Sequence, residues 1–133
     1  MPTRRTDDRT FIERARRAQI VHATIEVIAE EGLARATFAR IARHAGISPG
    51  LISYHFEEKS DLLGTVAETV MADMEAALRV AADGVESHRA ALAALLHAQV
   101  HHAAAHLAAL TALAAIRAGG VAPPTAQDRK SVV

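Results

Sequence analysis

Residues 37–56, TFARIARHAGISPGLISYHF, contain two short helical patterns joined by a glycine turn. Thr37 is a favourable N-cap, and apolar residues follow it at helical spacing, which predicts a short first helix. Gly46 favours a left-handed C-cap that ends this helix. Ser48 and Pro49 then supply the capping hydroxyl and the pre-set φ with which a second helix begins. The stretch therefore predicts a helix-turn-helix, whose second helix lies in the major groove of DNA.

Longer helical patterns flank this motif on both sides. Residues 11–31 predict a first helix whose inner face contains Ile20, Ala23, Thr24, Val27 and Ile28. Residues 58–82 predict a helix with an apolar stripe of about six turns. Residues 85–118 contain neither glycine nor proline, and their periodicity alone permits one long helix. The sequence as a whole predicts an all-α fold.

The amino-acid composition excludes several kinds of site and of protein. Alanine and the aliphatic residues supply most of the hydrophobic half of the 133 residues, and aromatic residues make up only 3%. The absence of cysteine excludes disulfide bonds and thiolate metal ligands. We see no apolar run long enough to span a membrane and no N-terminal signal pattern. We therefore expect a cytoplasmic protein without membrane contact.

Charge is divided unevenly along the chain, although the formal net charge is zero. Residues 1–60 hold ten Lys and Arg against eight Asp and Glu, which gives +2, and residues 61–133 hold five against seven, which gives −2. Arginines are most frequent between positions 4 and 17. The segment before residue 11 is either a disordered tail or a basic arm that becomes ordered on DNA. This asymmetry supports DNA binding only in combination with the helix-turn-helix pattern.

Residues 14–65 resemble the DNA-binding domain of the TetR family of bacterial transcriptional regulators. The residues that carry the resemblance are Glu31-Gly32, Thr37, Ile41-Ala42, Ala45-Gly46-Ile47-Ser48, Gly50, Ile52, His55-Phe56, Lys59 and Leu62. Because residue type and spacing agree at more than a dozen positions, the likeness is more specific than a lone helix-turn-helix. Beyond residue 65 it is only one of helical pattern.

The resemblance divides the chain into four parts. They are a flexible basic arm at 1–10, the helix-turn-helix domain at 11–57, a helical effector and dimerisation region at 58–118, and a flexible tail at 119–133. The family pattern also divides residues 85–118 into two helices, with a break near Ala103 to Ala105. Members of the family usually continue for several more helices, so we expect a shortened C-terminal region, whether natural or truncated.

The expected contacts to double-stranded DNA lie on the second helix of the motif and at the starts of the neighbouring helices. They are Thr37, Arg43, Ser48, Pro49, Gly50, Ser53, Tyr54, His55 and Lys59. Ser53 and Tyr54 can hydrogen-bond to base edges or phosphate. Thr37 begins a helix whose N-terminus points at a phosphate, and Lys59 matches the family position that holds the backbone from the other side. Each also has a simpler role, as a helix cap and as a solvated charge.

The resemblance implies a homodimeric repressor that binds a palindromic operator and is released by a small-molecule effector. Met74, His102 and His106 are the expected effector-lining residues. No other cofactor is expected. A different interpretation is a truncated interaction module, which forms mixed dimers with a full-length regulator and does not itself bind DNA. Leucine-rich final helices would otherwise expose apolar side chains, which favours association in either case.

Four histidines between positions 97 and 106 suggest a metal site, because His at i and i+4 can share one ion. On a helical wheel His97 and His101 lie opposite the leucine stripe, whereas His102 and His106 lie at its edge. They form two separate pairs without a nearby carboxylate, so we expect no metal site. An enzyme is the least expected class, because no catalytic spacing and no glycine-rich phosphate loop is present.

Overall fold

The computed structural model describes residues 3–120, and the regular secondary structure of this part of the chain is all helical, without strands. It contains six α-helices and one 3-10 turn, which are α1 Thr3–Glu31, the turn Leu33–Arg35, α2 Phe38–Ala45, α3 Pro49–His55, α4 Lys59–Ala82, α5 His88–Ala105 and α6 Leu107–Ala118. The predicted all-α fold is confirmed. The predicted tail lies outside the described residues from residue 121 onward.

Helix α1 begins at Thr3, eight residues earlier than the sequence predicted, so it covers most of the stretch expected to be an arm. Extending a helix that has already formed adds one backbone hydrogen bond per residue without a new nucleation cost. At the position where the predicted helix begins, Phe11 and Ile12 are 73% and 61% exposed, so this part of α1 lies outside the core.

The predicted inner face of α1 is the centre of the core. Ile20, Val27 and Ile28 are buried together with the apolar faces of α2, α3 and α4. Thr24 is also fully buried, and its hydroxyl donates to the carbonyl oxygen of Ile20 at 2.7 Å. Because that bond satisfies the hydroxyl within the helix, a polar residue is tolerated in this core.

Only the first half of α4 lies in this core. Leu62, Val66 and Val70 are buried, whereas Met74 and Leu78 are half-buried. The apolar stripe that the sequence predicts for six turns therefore has two functions. Its first half holds the helix-turn-helix, and its second half lies against α5.

The sequence did not predict that the last helix would share this core. The break between α5 and α6 falls at His106, one residue beyond the Ala103 to Ala105 that the family pattern predicts. Helix α6 then returns along α1, and its side chains Ala112, Leu113 and Ile116 are buried in the same core, next to α1, α4 and the turn before α2. At its end, a Cβ on Gly119 would lie 2.7 Å from Cδ2 of Leu33. The core that holds the helix-turn-helix therefore includes a helix that begins only at Leu107, long after α3 ends at His55.

Candidate nucleic-acid interface

The turn between α2 and α3 has the local geometry that the sequence predicts. The Thr37 hydroxyl accepts a hydrogen bond from the Arg40 N–H at 3.2 Å, and the Ser48 hydroxyl accepts one from the Leu51 N–H at 3.3 Å. Gly46 has a φ of +70°, a left-handed conformation that glycine adopts without steric cost. Both helices therefore begin at side-chain caps and meet at a fixed angle.

Helix α3 separates a buried face from an exposed one. Ile52 is buried and Leu51 is half-buried, as predicted. The exposed residues on the other side are Pro49, Gly50, Ser53 and Tyr54. The Tyr54 side chain is 69% exposed, so its phenol is available to a ligand. The Ser53 hydroxyl donates to the Pro49 carbonyl oxygen at 3.4 Å, and a contact with DNA would compete with this weak bond.

His55 is half-buried, unlike the other expected contact residues of α3. It lies with Leu51 and Tyr54 in a cleft between α3 and the N-terminal part of α1, and its ring meets the Tyr54 ring edge-on at 5.0 Å. Burial lowers the pKa of His55, and the positive charge of Arg17 lowers it further. A neutral imidazole is therefore favoured at this position, which suits packing better than attraction to phosphate.

Arg17 on α1 holds the end of α3, a role that the sequence analysis did not assign to it. Its guanidinium donates to the His55 carbonyl oxygen at 2.8 Å and lies 4.4 Å from the centre of the Phe56 ring. This combines a charge-assisted hydrogen bond with a cation–π contact. No short-range pattern indicates the contact, because Arg17 and His55 are 38 positions apart.

Lys59 is half-buried, and its ammonium donates to the Leu33 carbonyl oxygen at 2.9 Å. The bond ties the start of α4 to the turn that precedes α2. An ammonium carries three donors, so two more remain for a phosphate. The structure therefore assigns Lys59 a structural role that the sequence analysis did not foresee.

Two carboxylates of α1 hold α2 in place. Glu31 forms an ion pair with Arg40, whose Nε donates to both carboxylate oxygens at 3.0 Å. The hydrogen bond from Arg40 is the main cause of the lowered Glu31 pKa, and the same bond raises the pKa of Arg40. Glu26 pairs with His44, and the hydrogen bond between them is the main cause of the lowered pKa of Glu26. Arg40 is thus occupied by Glu31, while Arg43 is exposed to solvent.

Two of the three expected effector residues line one cavity. Met74 and His102 lie on the wall of a cavity of about 140 Å³ between α4, α5 and α6. His106 is exposed and lies outside this lining, although its ring is 4.4 Å from that of His102. Among the described side chains, those of residues 8–120, no three from His, Asp or Glu come close enough to hold a metal ion.

No helix within the described part of the chain combines the length and apolar character that are needed to cross a membrane.

Residues 20–66 match the family described as "Bacterial regulatory proteins, tetR family". The regulator BetI 1 of Chromohalobacter salexigens is 44% identical over 82 residues, which cover 61% of this chain and 41% of that protein. The regulator BetI of Escherichia coli is 47% identical over 64 residues, covering 48% of this chain and 31% of that protein. The matched stretches thus span less than half the length of these curated relatives.

The fold is similar to that of a solved structure, a TetR family transcription regulator from Marinobacter aquaeolei. The TM-score is 0.77 with 19% sequence identity, and the match covers 97% of this chain and 63% of the other. The similarity extends over α4, α5 and α6 as well as the helix-turn-helix. At this level of identity it is evidence for the fold alone.

Proposed function

We propose that this chain, whose residues 20–66 match the TetR family, is a transcriptional regulator that binds double-stranded DNA with α3 in the major groove. The observation that carries the proposal is the exposed face of a helix that is capped, buried on its other side and tied to α1. A rigid scaffold that presents Pro49, Ser53 and Tyr54 to solvent is what direct readout of bases requires.

We further propose that it acts as a homodimeric repressor on a palindromic operator. Two copies related by a twofold axis would place two α3 helices in major grooves about 34 to 36 Å apart if the half-sites are one turn apart. Exposed apolar side chains on α5 support association, since Leu92, Leu96 and Val100 are 60%, 56% and 71% exposed at i, i+4 spacing.

A ligand in the cavity between α4, α5 and α6 would control release from the operator. Two of the helices around the cavity, α4 and α6, contact Leu33 in the turn before α2. Helix α4 starts at Lys59, which is bonded to Leu33, and α6 ends at Gly119, which lies against the Leu33 side chain. A ligand that changes the distance between α4 and α6 would therefore displace Leu33 through both contacts. Because Leu33 lies in the turn before α2, this movement would couple ligand binding to the position of the helix-turn-helix.

The proposal is tested by measuring molar mass with light scattering and selecting genomic DNA fragments with the full chain. We expect a dimer that selects a palindrome. Tyr54→Ala should weaken binding to the selected duplex about tenfold and leave binding to a scrambled duplex unchanged, because a lost base contact costs about 1–3 kcal/mol. Tyr54→Phe is the matched control, which keeps the ring and removes only the hydroxyl.

A monomer that selects no sequence would overturn the proposal. It would favour the interaction module, which pairs with another regulator without binding DNA. An equal loss of affinity for the selected and scrambled duplexes in Tyr54→Ala would place Tyr54 on the backbone rather than at a base.

A further inference from the structure

We propose that the cavity between α4, α5 and α6 binds a small uncharged molecule, an aromatic or alicyclic ring that carries one hydroxyl or carbonyl group. This inference rests on the proposed function only in treating the molecule as an effector. Binding itself does not depend on DNA. The size of the cavity, the chemistry of its lining and the position of its two polar side chains each limit the class of ligand.

The size of the cavity suits about one ring. The cavity measures about 140 Å³. An apolar protein cavity of about 150 Å³ holds one benzene molecule. A single ring with a short substituent therefore fits without moving the helices.

The lining favours an uncharged ligand over a charged one. Six of its eight residues are apolar, namely Met74, Ala77, Leu78, Ala98, Ala103 and Leu110. None of the eight carries a carboxylate, ammonium or guanidinium group, and the only ring among them is the imidazole of His102. A cation would find neither a carboxylate nor an electron-rich aromatic face, and an anion would find no fixed positive charge.

Two polar side chains mark where a single polar group of the ligand would lie. Gln99 and His102 are separated by three positions on α5, so they are neighbours on one face of the helix. A glutamine amide offers both donors and an acceptor, and an imidazole ring has two nitrogens that can take part in hydrogen bonds. One ligand hydroxyl can therefore donate to one of them and accept from the other, while its ring lies against Met74 and Leu110.

The experiment compares three ligands that share a phenyl ring with a one-carbon substituent and differ in charge: benzyl alcohol, benzylammonium and benzoate. Binding to the full chain is measured at pH 7.5 by ligand-observed NMR titration. We expect benzyl alcohol to bind and the two ions to bind at least about tenfold more weakly, because an unpaired charge is costly in an apolar site. Equal or tighter binding of either ion, or no binding of benzyl alcohol, would overturn the inference.

Two neighbouring substitutions locate the site. Ala103→Leu fills the cavity and should abolish binding, whereas Ala104→Leu changes the next residue, which is exposed and outside the lining. If Ala103→Leu fails to fold, as judged by circular dichroism, Ala98→Leu on the same wall replaces it. Binding of benzyl alcohol that persists in a folded cavity-filling variant would place the ligand elsewhere and contradict the inference.

A separate readout distinguishes this inference from the proposed function. DNA affinity of the unmodified chain is measured by fluorescence anisotropy with and without benzyl alcohol. If benzyl alcohol binds and DNA affinity does not change, the ligand class is supported and ligand-controlled release is contradicted. If the chain binds its selected DNA but not benzyl alcohol, the regulator is supported and the ligand class is contradicted.

Discussion

Lys59 illustrates how one side chain can serve both the fold and the proposed contact with DNA. Its ammonium donates to the Leu33 carbonyl oxygen, and the residue stands at the first position of α4. Substitution by methionine keeps most of the aliphatic stem and removes the charge and the donors. The structural role should therefore appear in the free energy of unfolding, and the contact with DNA in the salt dependence of DNA affinity.

We expect Lys59→Met to lower the free energy of unfolding by about 1 kcal/mol, the typical net contribution of one hydrogen bond. If the remaining donors also reach a phosphate, the slope of log affinity against log salt should become shallower by about 0.9 units. Urea denaturation and anisotropy titrations at several salt concentrations measure these effects separately. An unchanged salt slope would leave Lys59 with its structural role alone.

The ion pair between Glu31 and Arg40 should make the stability of the fold depend on pH. Its pKa is lowered in the folded state, mainly by the hydrogen bond from Arg40, so the folded state favours the ionised carboxylate. The resulting stabilisation is fully present above the ordinary glutamate pKa of about 4.3. It is lost as the pH falls through the lower pKa that Glu31 has in the folded state. Below that range the ion pair contributes nothing.

We therefore expect Glu31→Gln to be less stable than the unmodified chain at pH 7 and to approach it in stability as the pH falls through the lowered pKa of Glu31. Thermal unfolding followed by circular dichroism across this range measures the difference. Glu30→Gln, the exposed neighbour on α1, is the control and should differ little at any pH. If the difference in unfolding temperature between Glu31→Gln and the unmodified chain stays constant from pH 7 to pH 3, the ion pair is not the cause of the difference in stability.

At the scale of the elements, the turn between α2 and α3 depends on one backbone conformation. Gly46 has a φ of +70°, which a residue with a Cβ adopts only at a cost. Gly50 provides a matched comparison, since it lies inside α3 and has open space around its Cα. The two glycines are four positions apart and are expected to respond to substitution in opposite directions.

We expect Gly46→Ala to destabilise the fold by about 1–2 kcal/mol, because it forces a left-handed conformation on alanine. Gly50→Ala should stabilise it by about 0.5–1 kcal/mol, because alanine is favoured inside a helix. Equilibrium urea unfolding of both variants measures this contrast. Equal effects of the two substitutions would mean that the left-handed turn does not determine stability.

At the scale of the whole molecule, α6 belongs to the same core as the helix-turn-helix. Ile116 is fully buried, whereas Leu107 at the start of the same helix is 68% exposed. Ile116→Ala should therefore lower the free energy of unfolding by about 2–5 kcal/mol, because it leaves a cavity in the shared core. Leu107→Ala should cost less than about 0.5 kcal/mol.

The burial of Ile116 in the shared core should also affect DNA binding. If α6 closes the DNA-binding core, Ile116→Ala should also lower the temperature at which DNA binding is lost, in step with unfolding. Circular dichroism and anisotropy melting curves of the same variant make the comparison. DNA binding that survives the melting of α6 would show that the two halves unfold independently.

The sequence by itself determined the elements that depend on neighbouring residues. The hydroxyl caps at Thr37 and Ser48 and the glycine C-cap at Gly46 act within four positions, so their signals are local and were read correctly. The inner face of α1 was predicted for the same reason, since helical periodicity is a short-range property. The all-α fold followed from these patterns.

Only the tertiary structure decided which distant residues meet. Periodicity showed that residues 107–118 have an apolar face but not that Ile116 would lie in the core of the helix-turn-helix. Nor could it show that Lys59 would bond to Leu33, or Arg17 to the carbonyl of His55. Such contacts join residues that are tens of positions apart, and they form only because packing of the whole chain brings their helices together.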